Sequence, residues 1–325
     1  MNDNYINYGC ELLSENNRED EVTLSIVIPT YKRAKYLTDA LDSIFKQDLK
    51  TGQNFAFEVI VVNNDPNDNM QELIDRYRDE RVSFFRNSRN LGQVGNINQG
   101  VRIANGRFIA FLHDDDLLLP TYFAAVIPYL KDDIECLIPC YYSFYDKYKL
   151  DIKHKFIRGL TCYRKIYSKT LQLVNPDDYI WSFYDIYNAP TCGVVFLKKA
   201  IEEYGYFKDE RGAAWDYYNF REFNKEHSVY LLHKYLGARR MYSGMSNSSR
   251  VQEDFRNDKL KLIDELKEHP FIKEYKDCIM DRRPILKYSR FKIQKEMYIH
   301  NHDLVGSKTI PLYKWIWLKT HYNLK

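Results

Sequence analysis

The chain has 325 residues, 45% hydrophobic and 29% charged, with 13 glycines and 10 prolines. That composition excludes a disordered or fibrous chain, and a net charge of +3 argues against a dedicated nucleic-acid binder. No apolar run reaches the roughly 18–20 residues that cross a bilayer.

Residues 1–20 are polar and aperiodic, lack the basic start and apolar block of a secretory signal, and read as a flexible arm. Leu24–Pro29 predicts a short buried strand and Thr30–Arg33 a loop. Leu37, Ala40, Leu41, Ile44 and Phe45 then share one face of a helix. Phe57–Val62 predicts a second strand, and Asn63–Asp68 carries turn chemistry leading into a helix with Met70, Leu73, Ile74 and Tyr77. Val82–Phe85 is a third strand, broken by Asn90-Leu91-Gly92. The next helix carries Ile97, Val101 and Ala104 and closes on Gly106 as its C-terminal cap. Phe108–Leu112 is a fourth strand, running directly into His113-Asp114-Asp115-Asp116.

This alternation implies an α/β fold with a mostly parallel central sheet flanked by helices. Ligands of such sheets sit at the carboxyl ends of the strands. Three polar loops, 30–33, 63–68 and 113–116, fall there. The second half is less regular. It predicts strands at Thr191–Phe196, Val229–Leu232 and Arg239–Tyr242, a helix at Trp215–Asn224, and helical periodicity from about Val251 onward. The six cysteines form no zinc-site spacing and read as buried thiols of a reducing compartment.

Three successive carboxylates after an apolar strand raise one another's pKa. A divalent cation relieves that repulsion, because Mg²⁺-like ions take a few carboxylate oxygens and fill the rest of their shell with phosphate and water. The same residues also suit a solvated turn capping a helix that begins near Pro120. The triplet alone leaves both open; its place beside two other polar loops favours the cation.

Four landmarks in order carry a resemblance. They are Leu24-Ser25-Ile26-Val27-Ile28-Pro29-Thr30-Tyr31, Val61-Val62-Asn63-Asn64-Asp65-Pro66, Asn90-Leu91-Gly92 with Asn98-Gln99-Gly100, and Phe111–Pro120 around the acidic triplet. Together they resemble glycosyltransferase family 2, whose nucleotide-sugar-binding fold is called GT-A. The resemblance covers Leu24 to about Tyr242. It implies a hexosyltransferase-type enzyme that inverts the anomeric carbon and uses Mn²⁺ or Mg²⁺, favours a UDP-sugar donor, and serves polysaccharide or glycoconjugate assembly. Altered landmark positions leave a non-catalytic sugar-binding relative as the alternative.

Carried over residue by residue, the resemblance nominates Thr30, Tyr31 and Arg33 for the nucleotide. Asn63 and Asn64 replace two family acids and, with Asp65, would read the base; an amide oxygen can accept the same ring N–H. Gly92 and Asn98 would lie along the nucleotide sugar, and His113 and Asp114 at the ribose. Asp115 is the metal-binding acid, with Asp116 beside it. The catalytic base is Asp216, which follows Gly205-Tyr206-Phe207 at the family's spacing, with Trp215 replacing the usual Glu. Trp181, Phe183, Tyr184, Tyr187, Trp215, Tyr217 and Tyr218 could build an acceptor platform.

The implied organisation is an arm at 1–20, a catalytic unit at 21–250 and a C-terminal region at 251–325. The catalytic unit divides into a nucleotide-binding half, 21–130, and an acceptor-binding half, 131–250. From Asp281 onward ten Lys/Arg face three acids, a surplus of seven positive charges. With the Trp and Tyr residues of 284–325, this suits an anionic membrane surface or a homo-oligomer contact. Expected partners are thus a nucleotide sugar, a glycan, lipid-linked or protein-linked acceptor, and no nucleic acid. The expected location is cytoplasmic, peripheral on the inner membrane face.

Overall fold

The computed structural model describes residues 9–15, 21–47, 55–78, 81–144, 170–174, 191–210, 212 and 215–240, isolated positions between 253 and 268, and 308–309. Its centre is a parallel block in the spatial order β4-β3-β2-β5. These strands are β2 (Leu24–Thr30), β3 (Phe57–Asn63), β4 (Val82–Asn87) and β5 (Phe108–Phe111). Their side chains are buried almost throughout, as expected of strands covered on both faces. Three helices make the connections: α1 (Ala34–Phe45), α2 (Gln71–Arg76) and α3 (Gly92–Ile103). Helix α1 buries Leu37, Ala40, Leu41 and Ile44; each larger side chain contributes about 1.5–3 kcal/mol.

The sheet continues beyond this block and becomes mixed. Strand β9 (Val194–Leu197) lies antiparallel between β5 and β7 (Cys136–Phe144), and β10 (Val229–Arg240) runs parallel to β7. The carboxyl ends of β2, β3, β4, β5, β7 and β10 therefore share one edge. Short strands complete it: β6 (Leu117–Leu118) and β8 (Leu171–Leu173) on β10, and β11 (Lys308–Thr309) parallel on β7. Helix α4 (Tyr122–Val126) follows β6, α5 (Lys198–Tyr204) follows β9, and α6 (Trp215–Phe223) precedes β10.

Several expectations change. The N-terminal arm contains a strand, β1 (Cys10–Ser14), antiparallel to β4, whose Cys10 joins the core and whose Leu12 and Leu13 pack against it. The two short strands expected at 229–232 and 239–242 are one strand to Arg240. Register shifts at Leu232/Tyr235 and Tyr235/Gly237 break the period-2 pattern that would reveal it. Gly106 does not cap α3, which ends at Ala104 in extended conformation. Instead its N–H donates to Ser25 Oγ at 2.7 Å, and a Cβ there would meet Ser25 Oγ at 2.6 Å and the Phe108 oxygen at 2.8 Å. The acidic triplet does not cap α4, whose N-terminus has no side-chain cap; β6 intervenes.

Cys10, Cys136, Cys140 and Cys192 are buried free thiols, as expected; Cys162 and Cys278 lie outside the described residues. So do Trp181, Phe183, Tyr184, Tyr187 and, apart from Lys308 and Thr309, the tail 284–325. Among the described residues no helix is long and apolar enough to cross a membrane.

Candidate active site

The end of β2 and the loop after β5 meet through side chains. Thr30 Oγ1 donates to Asp114 Oδ2 at 2.8 Å. Arg33, at the start of α1, forks over two carboxylates: Nη1 lies 3.0 Å from Asp114 Oδ1 and Nη2 3.0 Å from Asp115 Oδ2. From the far side Arg240, the last residue of β10, donates its backbone N–H to Asp116 Oδ1 (2.9 Å) and its Nε to the Asp115 backbone oxygen (3.0 Å). Its Nη2 reaches Asp39 Oδ2 at 2.7 Å. His113 Nε2 lies against Thr191 Oγ1.

Burial of so many acids has electrostatic consequences. Burial, reinforced by the Asp115 charge, pushes Asp114 up to about 6 against the pull of Arg33 and Thr30. Burial, again with Asp115, also raises Asp116. His113 is lowered by burial and is neutral at pH 7. Asp216, in the first turn of α6, is pushed up to about 6 by burial; its Oδ1 accepts the Tyr217 N–H at 2.8 Å. Burial works against the charge of Arg239, yet Tyr141, Asp116 and Asp216 outweigh it and hold the guanidinium protonated. Trp215, beside Asp216, packs on Phe207 (ring centroids 5.9 Å apart), which packs on Phe111 at the carboxyl end of β5 (5.7 Å), so the first turn of α6 lies at the edge that carries the acidic loop.

The asparagines behave differently from expectation. Asn64 Nδ2 donates to Asn90 Oδ1 and the Gly92 oxygen, while its Oδ1 accepts from Asn87 Nδ2 and the Leu91 N–H. Asn63 Oδ1 accepts the Asp65 N–H and its Nδ2 donates to Asp68. Both amides help to hold the 63–68 and 90–92 turns, Asn63 Oδ1 accepting one hydrogen bond and Asn64 Oδ1 two. Asn98 is likewise a structural tie: its amide exchanges two hydrogen bonds with the Phe207 backbone, 2.8 and 3.1 Å. Gly92, at φ 73°, starts α3 in a conformation that favours glycine. Asp65 stays at the strand end, its Oδ1 accepting the Asn67 N–H and its Oδ2 3.8 Å from Lys32. Tyr31 is exposed beside it in sequence order, on the loop that follows β2.

The donor set fits a divalent cation held by one carboxylate. Asp116, expected as the second ligand, is turned inward to Arg240, and Asp114 is engaged by Thr30 and Arg33. Asp115 Oδ2 pairs with Arg33 Nη2 as well, so an ion there would share that carboxylate with the guanidinium; Mg²⁺-like ions need only one or two carboxylates when a substrate brings phosphates. Among the described residues, the three side chains whose ligand atoms gather closely are Glu135, Glu203 and His227. Glu135 and His227 adjoin the amino ends of β7 and β10, the opposite edge of the sheet, so that group does not serve the acidic loop.

Residues 25–205 match the family model described as Glycosyl transferase family 2. The chain belongs to glycosyltransferase family 2. It is 36% identical over 128 residues to an uncharacterized glycosyltransferase of Methanocaldococcus jannaschii, covering 38% of this chain and 43% of that protein. It is 35% identical over 99 residues to the GalNAc(5)-diNAcBac-PP-undecaprenol beta-1,3-glucosyltransferase of Campylobacter jejuni, 30% of each chain. The chain thus spans less than half the length of either relative. Two solved structures share its fold. One is S. aureus TarS 1-349 with UDP-GlcNAc: TM-score 0.55, 18% identity, covering 82% of this chain and 73% of that one. The other is the Pyrobaculum calidifontis mannosyltransferase PcManGT with GDP-Man and Mn²⁺: TM-score 0.55, 13% identity, 98% and 90%. The GT-A fold expected of a family 2 transferase is the fold observed.

Sequence reasoning missed the supporting roles of Asp39, Tyr36 and Thr191. Their signal was only a helix face and a strand end, with no chemistry-bearing spacing.

Proposed function

We propose that this family 2 enzyme transfers a sugar, with inversion, from a UDP-sugar to a hydroxyl on a lipid-linked glycan. The observation that carries the reading is the packing of Trp215, beside Asp216, on Phe207 and of Phe207 on Phe111, which ends β5 before the acidic loop (ring centroids 5.9 and 5.7 Å apart). A base and a diphosphate site at one sheet edge are what a direct displacement requires.

Asp216 takes the proton from the acceptor hydroxyl as its oxygen attacks the anomeric carbon. The bond to the diphosphate breaks, the nucleoside diphosphate leaves, and the new glycosidic bond forms on the opposite face. A divalent ion held by Asp115 would neutralise charge on the leaving diphosphate. Arg33 meets the same phosphates, because a guanidinium fork matches phosphate oxygens bidentately. Thr30 and Asp114 hold the ribose end, and His113, neutral, presents a hydrogen-bonding nitrogen. Asp65, the carboxylate at this strand end, accepts the uracil ring N–H, and Tyr31 flanks the ring.

The UDP donor and lipid-linked acceptor draw support from what TarS binds and from the name of the Campylobacter relative. An acceptor of that kind suits work at the inner membrane face, where the basic, aromatic tail would meet anionic lipid. The test is a panel of UDP- and GDP-sugars with Mn²⁺ or Mg²⁺, read by thermal shift and by nucleotide release. Stabilisation and turnover with a UDP-sugar are expected. Stabilisation without turnover against any glycan-lipid acceptor would identify a binding protein, and no stabilisation by any donor would end the proposal.

A further inference from the structure

Arg33 occupies a place that the proposed mechanism needs for something else. Its two Nη atoms each lie 3.0 Å from a carboxylate oxygen, one of Asp114 and one of Asp115. The Arg33 side chain is 26% exposed, whereas those of Asp114 and Asp115 are 6% and 11% exposed. The guanidinium therefore lies on the outer side of the pair, between the carboxylates and solvent, 5.4 Å from the Tyr36 ring centroid. Asp115 Oδ2 is engaged by the same cation that a donor diphosphate would attract. A guanidinium and a divalent ion repel, and both seek the Asp115 carboxylate. Diphosphate oxygens offer the fork an equivalent bidentate partner.

We propose that Arg33 is a resident counter-ion of the acidic loop: it holds the divalent ion's place on Asp115 until a nucleoside diphosphate draws the guanidinium away. Divalent ion and nucleotide then each bind tightly only when the other is present. This rests on the reading above, in which Asp115 takes the ion. Because coupling between two ligands is reciprocal, the factor by which nucleotide improves ion binding equals the factor by which ion improves nucleotide binding. Arg33 sits at the head of α1, with the Tyr36 ring beside its guanidinium.

The experiment is calorimetric titration of MnCl₂ and of UDP, each alone and each with the other saturating, on the full chain. GDP replaces UDP if UDP does not bind. Wild type, Arg33→Gln and Asp115→Asn are compared, with unfolding curves for each. Wild type is expected to bind Mn²⁺ alone at least about tenfold more weakly than with UDP, within the usual range of about 5–150-fold for coupled sites. Arg33→Gln is expected to bind Mn²⁺ alone about tenfold more tightly than wild type, to bind UDP more weakly, and to lose most of the coupling. Asp115→Asn should lose Mn²⁺ binding in both conditions. If Arg33→Gln does not fold, Arg33→Met carries the same comparison, since it also removes the charge and keeps a side chain of similar length. Mn²⁺-assisted UDP binding in wild type, with Mn²⁺ alone no tighter in the Arg33 variant, overturns the counter-ion role and leaves the proposed function standing. Failure of wild type to bind either nucleotide with or without Mn²⁺ overturns the proposed function itself.

Discussion

Arg240 Nε lies 3.0 Å from the backbone oxygen of Asp115, so the arginine that ends one strand fixes the main chain of the acid that follows another. Its side chain is 2% exposed. The guanidinium lies 4.9 Å from the Tyr36 ring centroid and 4.8 Å from that of Phe144. A buried cation persists only where its hydrogen bonds and counter-charges are supplied. Asp39, Asp115 and Asp116 supply them, and in return α1, the acidic loop, β7 and β10 are tied at one point.

Arg240→Met removes the Nε bond to Asp115 and the Nη2 pair with Asp39. Losing these charged, partly buried hydrogen bonds costs about 1–3 kcal/mol. Urea unfolding is expected to show that loss, and kcat/KM of the remaining folded protein to fall at least tenfold as Asp115 loses its anchor. Unchanged activity at full folding would show that the Asp115 main chain needs no such tie.

The difference between what the sequence displayed and what it concealed has a physical basis. The strands around Ile26, Val61 and Phe108 are buried on both faces, so their apolar runs announce both strand and parallel sheet. The acidic triplet announces itself because three like charges after such a run need a reason. Asn64 and Asn98 looked like ligand-binding amides, because an amide that closes a turn and one that meets a base have the same side chain. Only the partners, Gly92 and Leu91 for one and Phe207 for the other, tell them apart, and these contacts join distant segments. Strand β10 was hidden by its own register shifts around Tyr235.

Asp216 should carry a pH signature. A base works only when ionised, and burial sets its pKa at about 6, so kcat/KM should be level at neutral pH and fall about tenfold per pH unit below pH 6. Arg239 opposes that upward shift by its charge. Arg239→Gln should therefore move the acid limb to higher pH, while Asp216→Asn should lower kcat about 10²–10⁴-fold with donor affinity retained. A pH–rate profile of Arg239→Gln that superimposes on wild type would remove Arg239 from this role.

Asn98→Ala tests the tie between α3 and the segment leading to α6. The variant strips the Phe207 N–H and C=O of their partners at 3.1 and 2.8 Å. Leaving buried backbone groups unpaired costs about 1–3 kcal/mol each. The midpoint of chemical unfolding should drop accordingly. Activity should fall further than stability alone explains, because Phe207 anchors the chain that delivers Asp216. A stability loss with unaltered kcat would limit Asn98 to a folding role.

Gly106→Ala separates folding from catalysis. The new methyl would meet Ser25 Oγ at 2.6 Å and the Phe108 oxygen at 2.8 Å. Neither can yield cheaply, because Phe108 contributes backbone and the Ser25 hydroxyl is held in a buried network. That hydroxyl accepts the Gly106 N–H and donates to Glu58 Oε1, and Glu58 also accepts from the Asn105 N–H and Nδ2. Overpacking of this kind costs about 1–3 kcal/mol. Yet Ser25, Glu58 and Gly106 all lie near the amino ends of β2, β3 and β5, a strand's length from Thr30, Asp115 and Arg33. The variant is therefore expected to unfold at lower denaturant while keeping its KM for donor and its kcat per folded molecule. A selective rise in donor KM would show instead that the two edges of the sheet are coupled.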